Sequence, residues 1–551
     1  MGWQCTRVSV LPEQQTVAFA VAQALREIGV RHVFGVPSGG WVDYMEALRL
    51  TPGIDFVLTT HEGGAGMMAD VCGRLTGAPG ACFGTFGPGA TNLATGVGGA
   101  LLDRSPLIAL TDEMPAGMRG RVSQMGIDHQ ALFRPITKHT TRITSDAARS
   151  ISFDAARLAL AEQPGPVHVG LPAGMSAQIA GAETVRFSRP ELPPPADPTA
   201  LTRAIDLFEK ARRPVLAVGL GAVRAGVRDR IRALAEKHSM PVVLTPMAKG
   251  MLPEDHHCYA GVVFHALSDI VGQTHQMADS VVAIGYDPVE FNFESWMPPV
   301  PLVNIDTVPA DIDSTVYPNV VSVIGAIPDS IDRLVDLAPK DAAWDFRGLA
   351  ERRSEIFGRL APPPGSFGPR AVLAILRDVL PDDGIMTCDV GAHTHLIGQA
   401  WRTPAPGLQI MTNGWSTMGF GIPSAIAAKL VHRDKQVCTV IGDGGFLMTA
   451  GEIATAIRCN LNIVIVVLTD NDLALIRIKQ ERKGNPVYGT PVRELGTIGG
   501  DNIFGAPVRV AHDAASFRKH LDAAFASDGP MIVEAVVDSR EYDSLVLKKD
   551  K

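Results

Sequence analysis

Short, continuous apolar runs alternate with helix-length segments along most of the 551-residue chain. The runs are rich in Val, Ile and Leu and are bounded by Gly or Pro, as in FVLTTH, PVLAVG, SVVAIG, VCTVIG and NIVIVVL. They lack the polar alternation of a half-buried strand, which predicts parallel strands covered by helices on both faces of a sheet. The pattern therefore predicts an α/β protein.

Two proline-dense stretches divide the chain, RPELPPPADPTA at residues 189–200 and APPPGSFGP at residues 361–369. Clustered prolines disfavour helices and lack the amide donors of a strand, so both stretches are predicted to be linkers. The length suits about three domains of ordinary size. We therefore predict three consecutive doubly wound parallel-sheet domains, at residues 1–188, 196–340 and 366–540.

Composition and charge narrow the functional classes. Fifty Lys and Arg stand against 58 Asp and Glu, and the net charge of -8 argues against nucleic-acid binding. Seven cysteines are scattered singly without a C-x-x-C pair, which disfavours zinc ribbons and disulfide frameworks. No apolar run approaches the roughly 18 residues of a membrane span, and the start of the chain lacks a signal-peptide pattern. We expect a cytoplasmic protein with no nucleic-acid or membrane partner.

Two acidic clusters follow neighbouring predicted strands in the third segment. Gly442-Asp443-Gly444 comes after VCTVI, and Asp470-Asn471-Asp472 comes after NIVIVVL, with 27 residues between Asp443 and Asp470 in numbering. The carboxyl ends of parallel strands share one edge of the sheet, where open α/β sheets bind ligands. Carboxylate oxygens flanked by glycines suit Mg²⁺, which completes its coordination with phosphate oxygens and water. Taken alone, either tripeptide could be an ordinary turn.

The pair resembles the diphosphate-binding motif of thiamin-diphosphate (ThDP) enzymes, in which GDG is followed by a helix, a strand and a pair of Asn or Asp residues. The resemblance implies that Asp443 and Asp470 coordinate Mg²⁺ and that Asp472 contributes its main-chain carbonyl. It also implies that Gly442 and Gly444 contact the cofactor. The spacing favours Asp470 over its neighbour Asn471 as the second ligand.

A second match lies in the first segment, where TTHEGGAGMMAD places Glu62 after a strand and at the start of a small-residue helix. In ThDP enzymes that begin with a pyrimidine-binding domain, this glutamate contacts ring nitrogen N1′ and favours the imino tautomer needed for activation. Pro37 and Asn92 are implied as further cofactor contacts. The alternative is an acid that only interacts with the helix dipole.

Two further stretches resemble ThDP enzymes. TNGWSTMGFGIPSAIAA is similar to the stretch whose bulky apolar residue, here Met418, lies under the cofactor and enforces its bent shape. The carbonyl of Ser416 would accept from the 4′-amino group. CDVGAHTHL resembles a diphosphate-contacting segment, which nominates Gly391, His393 and Thr394. Gln124, which precedes the ITKH segment, is implied as a contact on the substrate side.

Over nearly its whole length the chain most resembles acetolactate synthase, through GRLTGAPGACFGTFGPGATNLATG, DHQALFRPITKH and IGYDPVEFNFESW. The last piece is similar to the catabolic type that works without FAD, so FAD is not expected. The resemblance implies ThDP- and Mg²⁺-dependent decarboxylation of a pyruvate-like 2-keto acid with carboligation to a second carbonyl. It also implies a homodimer or homotetramer whose active sites lie between the pyrimidine domain of one subunit and the diphosphate domain of another.

Several departures from the family pattern leave alternatives open. Phe86 stands where a small polar residue is usual, and Gly63-Gly64 follows the glutamate where larger polar side chains are usual. Carboxyethylarginine synthase is also similar, around FVLTTHE and LLDRSP. The alternatives are a ThDP-dependent 2-keto acid decarboxylase, a C–C lyase acting on a ketol or diketone, and an inactive ThDP-fold binding protein.

Overall fold

The computed structural model describes residues 15–340, 342–493 and 496–545. They form two compact units: unit 1 comprises residues up to Leu101 with Ser105–Pro190, and unit 2 comprises Leu102–Arg104 with the residues from Glu191 onward. Unit 1 carries one sheet and unit 2 carries two. The predicted architecture of three α/β domains is confirmed. The predicted domain ends stay predictions, and residues 1–14 of the first domain lie outside the described residues.

Unit 1 is built on a six-stranded parallel sheet. Its strands are β1 (His32–Gly35), β2 (Asp55–Leu58), β3 (Gly80–Gly84), β4 (Leu107–Glu113), β5 (His139–Arg142) and β6 (Pro166–Pro172). Their order is β2-β1-β3-β4-β6-β5. The helices are α1 (Val17–Ile28), α2 (Val42–Arg49), α3 (Glu62–Thr76), α4 (Pro88–Leu102), α5 (His129–Phe133) and α6 (Ala148–Leu160). Every residue of β3, β4 and β6 is buried, as their apolar character requires.

The first sheet of unit 2 is also six-stranded and parallel. Its strands are β7 (Pro214–Val218), β8 (Val242–Leu244), β9 (Tyr259–Val262), β10 (Ser280–Ile284), β11 (Leu302–Asp306) and β12 (Val320–Ile324). Their order is β12-β11-β10-β7-β8-β9. The helices of this part are α7 (Pro198–Lys210), α8 (Leu220–Arg224), α9 (Arg228–Lys237), α10 (Ser268–His275), α11 (Phe293–Trp296), α12 (Ile327–Val335) and α13 (Phe346–Leu360).

The second sheet of unit 2 has seven strands. They are β13 (Ile385–Cys388), β14 (Gln409–Ile410), β15 (Val437–Gly442), β16 (Ile463–Thr469), β17 (Asn502–Ile503), β18 (Ala506–Ala511) and β19 (Met531–Val536). Their order is β14-β13-β15-β16-β19-β18-β17, and β17 runs antiparallel to its neighbour. The helices are α14 (Pro369–Val379), α15 (Ala392–Ala400), α16 (Gly421–Val431), α17 (Asp443–Thr449), α18 (Ile453–Arg458), α19 (Ala474–Arg482) and α20 (Ala514–Phe525). A 3₁₀ element, Ser539–Ser544, follows β19.

The register of two central strands determines where the predicted acidic clusters lie. β15 and β16 pair in parallel from Val437 opposite Ile463 to Gly442 opposite Leu468. Their carboxyl ends are therefore level, and the residues that follow them emerge at the same edge of the sheet. Within the described residues, no helix combines the length and the apolar character needed to cross a membrane.

Candidate active site

A cavity of about 260 Å³ lies at the carboxyl ends of β13, β15 and β16 in unit 2. Nine residues predicted from the sequence line it: Gly391, His393, Ser416, Met418, Gly442, Asp443, Gly444, Asp470 and Asp472. They come from four separate stretches of the chain, and the parallel sheet brings them to one edge. All the predicted diphosphate and metal residues except Thr394 therefore share one cavity.

Asp443 joins the two acidic loops at the floor of this cavity. It is the first residue of α17 and is 2% exposed. Its Oδ1 accepts from the Gly444 amide at 2.8 Å, and its Oδ2 accepts from the Asn471 amide at 2.7 Å. Burial raises the pKa of Asp443. The second contact fixes the loop after β16 against the loop after β15.

Asp470 and Asp472 also line the cavity, whereas Asn471 does not. Burial and the negative charge of Asp443 raise the pKa of Asp470 to about 7. Two neighbouring carboxylates disfavour each other's negative charge, and a bound divalent cation would remove this repulsion. Their oxygens are also hard donors of the kind that Mg²⁺ prefers. The side chain of Asp472 is turned to Arg477, whose Nε donates to Oδ2 at 2.9 Å. This ion pair occupies the Asp472 carboxylate. The metal ligand predicted for this residue is its main-chain carbonyl, which the ion pair does not use.

Asn471, between Asp470 and Asp472, adopts an unusual backbone conformation. Its backbone lies in the left-handed region, with φ of 57°, and its Nδ2 donates to the carbonyl of Gly496 at 3.2 Å. Asparagine is among the few non-glycine residues that adopt this conformation readily. Its Oδ1 is buried without a hydrogen-bond partner among the described residues. This oxygen is therefore the alternative to the Asp470 carboxylate as a metal ligand.

The segment after β13 forms the opposite wall. His393 is 4% exposed, burial lowers its pKa to about 4, and its buried Nε2 has no hydrogen-bond partner among the described residues. Thr394 does not line the cavity. Its hydroxyl accepts from the Gly391 amide at 2.9 Å and donates to the Asp389 carbonyl at 2.6 Å, which closes the turn before α15.

Met418 lies beside Gly444, the last residue of the Gly442-Asp443-Gly444 motif. A Cβ added at Gly444 would stand 3.4 Å from Met418 Cε and 3.0 Å from Leu473 Cδ2. Ser416 has a φ of 53°, and its hydroxyl donates to the Asn413 carbonyl at 2.8 Å. The cavity is thus lined by an apolar side chain as well as by carboxylates.

In unit 1, Glu62 is 7% exposed and accepts a 3.0 Å hydrogen bond from the Asn92 side-chain amide. The two helices that carry them meet one turn later. A Cβ added at Gly66 would stand 2.9 Å from the Cα of Gly96, and one added at Gly96 would stand 2.6 Å from the Cα of Gly66. Only glycines allow this approach, so the small-residue composition of α3 and α4 sets the Glu62–Asn92 contact.

Two other predicted residues of unit 1 are exposed. Pro37 follows β1 and is exposed, next to Ser38, whose hydroxyl donates to Asp112 Oδ2 at 2.5 Å. Gln124 is also exposed. A cavity of about 450 Å³ is lined by neighbours such as Ser123 and Gly126 but not by Gln124. The structure therefore gives Gln124 no contact with the rest of the site in unit 1.

Sequence reasoning missed four residues around these sites. Asp112, 2% exposed, accepts from both Ser38 and Thr85 and so joins the loops after β1 and β3. Asp389 lies against the glycine loop, because a Cβ at Gly445 would stand 1.7 Å from its Oδ2. The other two are Tyr542 and Arg477. The partners of Asp112 and Asp389 are distant in sequence, as is Asp543, one of the three carboxylates paired with Arg477.

Tyr542 belongs to the Ser539–Ser544 element and lines the cavity of unit 2. Burial and the charge of Asp470 raise its pKa, so its hydroxyl keeps its proton and can donate to an anion. Arg477 anchors this element: it donates to Asp472, to Glu481 Oε2 at 2.8 Å and to Asp543 Oδ1 at 2.9 Å. One buried guanidinium thus ties Tyr542 to the loop that carries Asp470.

Comparisons with protein families match all three domains. Residues 15–132 match "Thiamine pyrophosphate enzyme, N-terminal TPP binding domain", residues 201–334 match the central domain and residues 389–535 match the C-terminal TPP binding domain of the same enzymes. Thiamine pyrophosphate is another name for ThDP. The first range contains Glu62, and the last contains the cavity residues from Gly391 to Asp472.

Individual relatives point the same way. The chain is 30% identical to acetolactate synthase of Bacillus subtilis over 96% of its own length and 94% of the relative's. It is 31% identical to the acetolactate synthase large subunit of Parasynechococcus marenigrum, covering 85% and 78% of the two chains. It is 30% identical to the acetolactate synthase isozyme 1 large subunit of Escherichia coli, covering 84% and 83%. The chain therefore belongs to the ThDP-dependent enzymes of the acetolactate synthase type.

Proposed function

We propose that the protein catalyses the ThDP- and Mg²⁺-dependent decarboxylation of a pyruvate-like 2-keto acid and joins the remaining fragment to a second carbonyl. With pyruvate in both roles, the products are acetolactate and CO₂. The observation that carries the proposal is the cavity at the ends of β15 and β16, which Asp443, Asp470 and Met418 all line. The names of the relatives support the choice of product.

The cavity of unit 2 has the groups that a metal-bound diphosphate needs. Asp443 and Asp470 offer carboxylate oxygens to Mg²⁺, and Asp472 offers its main-chain carbonyl. Gly442 and Gly444 leave room for phosphate at the start of α17, where amide groups and the helix dipole favour an anion. The unpartnered Nε2 of His393 gives a further polar contact. The residues present therefore fit the cofactor.

Glu62 and Asn92 serve the pyrimidine end of the cofactor in this proposal. Bound ThDP supplies the reactive ring carbon and takes up the electron pair released with CO₂. The Glu62 carboxyl would share a proton with ring nitrogen N1′, and Asn92 holds that carboxyl through its 3.0 Å hydrogen bond. Met418 would support the cofactor in the bent shape that this proton transfer requires.

The subunit arrangement and flavin content follow from the same resemblance. In enzymes of this type the pyrimidine domain of one subunit faces the diphosphate domain of another, so we expect a homodimer or homotetramer in the cytoplasm. We expect no FAD, because IGYDPVEFNF replaces the segment of the flavin-containing relatives. Sedimentation of the active enzyme tests the first expectation, and the absorbance spectrum of the purified enzyme tests the second.

Product analysis tests the reaction directly. The protein is incubated with ThDP, Mg²⁺ and pyruvate or other 2-keto acids, and CO₂, acetolactate and acetaldehyde are measured. Acetolactate with CO₂ supports carboligation. Acetaldehyde without acetolactate would favour the alternative of a simple decarboxylase. Phe86 and Gly63-Gly64, which differ from the usual residues of the family, are compatible with that alternative. No CO₂ from any 2-keto acid would remove the decarboxylating proposal, and ketol or diketone cleavage is then assayed.

Two variants test the assignment of the site. Glu62→Gln should bind ThDP but lose most of the hydrogen–deuterium exchange at the cofactor's C2 atom, because the proton shared with N1′ is missing. Normal exchange in this variant would overturn the role of Glu62. Asp443→Ala should lose Mg²⁺-dependent ThDP binding, and an unchanged affinity would show that the metal lies elsewhere.

A further inference from the structure

A buried row of four residues runs through unit 1 away from Glu62. The Gly87 amide donates to His129 Nε2 at 3.2 Å. His129 Nδ1 lies 2.9 Å from Thr111 Oγ1, which in turn lies 2.7 Å from His168 Nε2. His129 is 2% exposed, and Thr111 and His168 are fully buried. The row links the loop after β3 to the interior of the sheet through β4 and β6.

The direction of the hydrogen bonds in this row follows from its first member. A backbone amide can only donate, so Nε2 of His129 accepts and carries no proton. In the neutral imidazole the proton then resides on Nδ1 and is donated to Thr111. The single hydroxyl hydrogen of Thr111 is left for His168 Nε2. The Gly87 amide thus selects the tautomer of His129, and Thr111 accepts from the Nδ1–H of that tautomer.

The surroundings keep His129 neutral. Burial lowers its pKa to about 4, against a smaller opposing effect of the adjacent Asp128. Arg142, whose charge also lowers the pKa of His129, forms an ion pair with Glu113. Glu113 also accepts from Gln130 at 2.5 Å. With Thr111 bridging both imidazoles and Glu113 bonded to Arg142 and Gln130, these groups form one hydrogen-bond network.

The loop held by His129 packs directly on the Glu62 carboxylate. Gly87 has a φ of 50°, and its carbonyl accepts from the Thr91 amide at 2.9 Å in the first turn of α4. Two residues on, a Cβ added at Gly89 would stand 3.2 Å from Glu62 Oε1. A shift of the 85–89 segment therefore moves the wall against which Glu62 rests, and with it the start of the helix that carries Asn92.

We propose that His129 is a positioning residue for Glu62. As a neutral imidazole with a bare Nε2, it holds the Gly87 amide and keeps the 85–89 segment against the Glu62 carboxylate. His129 acts through this segment and does not itself contact the cofactor. The inference rests on the proposed role of Glu62 at N1′ and adds the residues that set its position.

The test compares three variants by the rate of hydrogen–deuterium exchange at C2 of bound ThDP. His129→Phe removes the acceptor, and misplacement of a catalytic group should slow exchange about tenfold or more. His129→Gln keeps a side-chain oxygen that can accept from Gly87 and should retain most of the rate. Thr111→Val preserves shape but removes the acceptor for the His129 Nδ1–H, and should give an intermediate rate. His139→Phe, at an exposed site on β5, is the matched control.

ThDP affinity and thermal unfolding are measured alongside, since a merely structural role would lower stability without separating the Phe and Gln variants. Exchange in His129→Phe equal to that of the wild type, or equal losses in Phe and Gln, would overturn the proposal. If His129→Phe does not fold, a normal rate in Thr111→Val overturns it instead. Glu62→Gln distinguishes a failure of the proposed function from a failure of the positioning role. If it exchanges normally, the proposed function of Glu62 fails, whereas slow exchange there with normal rates in the His129 variants refutes only the positioning role.

Discussion

Gly66 of α3 and Gly96 of α4 are in backbone contact one helical turn after Glu62 and Asn92, respectively. The Glu62 and Asn92 side chains are thus brought together by two residues that have no side chain. Because the contact involves backbone on both sides, neither helix can yield by rotating a side chain. The geometry of the Glu62–Asn92 pair is therefore sensitive to any added atom at this crossing.

Gly66→Ala should separate the helices and weaken the Glu62–Asn92 hydrogen bond. A methyl group forced against backbone is expected to destabilise the protein by about 1–3 kcal/mol and to slow C2 exchange in bound ThDP. Urea unfolding and exchange kinetics measure the two effects. Gly358→Ala is the control, because nothing lies within 4 Å of a Cβ added at this helix position. If both variants behave alike, the crossing does not set the position of Glu62.

Arg477→Met should loosen both the Asp472 loop and the element that carries Tyr542. The Arg477 side chain is 5% exposed and pairs with three carboxylates. Their partial exposure limits the expected loss of stability to on the order of 2–3 kcal/mol. ThDP affinity, measured by fluorescence titration with Mg²⁺ present, should fall as well.

Arg540→Met is the matched control, because Arg540 pairs with two of the same acids but its side chain is 59% exposed. Exposed pairs contribute less than about 1 kcal/mol, so this variant should keep its ThDP affinity. An equal loss of affinity in both variants would indicate that general charge removal, and not the buried anchor, is responsible.

Asn471→Gly separates the two candidate oxygen donors after β16. Glycine adopts the positive φ of this position easily, and the amide that donates to Asp443 remains. If Asp470 is the metal ligand, Asn471→Gly should keep Mg²⁺-dependent ThDP binding and Asp470→Ala should lose it. The opposite result would move the ligand by one residue. Asn471→Val removes the amide oxygen and places a β-branched residue at a positive φ. This variant should therefore be destabilised by about 1–2 kcal/mol.

Glu290 should make stability depend on pH. It is buried, accepts from the Thr245 hydroxyl at 2.8 Å and from the Met247 amide at 3.1 Å, and burial raises its pKa from 4.5 to about 8. The folded protein therefore binds this proton more tightly than the unfolded chain. The stability that protonated Glu290 provides is complete below pH 4.5 and is lost as the pH rises to about 8.

Glu290→Gln removes this titration while keeping one acceptor oxygen. Between pH 5.5 and 8, the wild type should lose more stability than the variant, by at most about 1.4 kcal/mol per pH unit. Denaturant midpoints at several pH values measure the difference. The exposed Glu355→Gln should follow the wild type. Parallel pH profiles of wild type and Glu290→Gln would refute the prediction.

The fold and the meeting of the two acidic clusters at one sheet edge could be predicted because they follow from short-range patterns. Continuous apolar runs identify buried parallel strands, and the level ends of β15 and β16 bring Asp443 and Asp470 together whatever the details of packing. Tyr542 and the Asp543 partner of Arg477 could not be predicted in this way, because only tertiary packing returns residues after β19 to the ends of β15 and β16. Gln124 is implied by resemblance; it is exposed in unit 1, and its contact with substrate stays a prediction.

The cofactor cavity is lined by residues from Val390 to Tyr542, and its anchor Arg477 finds one of its partners at Asp543. During synthesis, the strands that carry Asp443 and Asp470 leave the ribosome before the element that completes this wall. Domains generally fold in the order in which they emerge. We therefore expect a nascent chain to acquire ThDP only late, once residues 539–544 have emerged, so that the cofactor stabilises the finished protein and does not guide the folding of its growing chain.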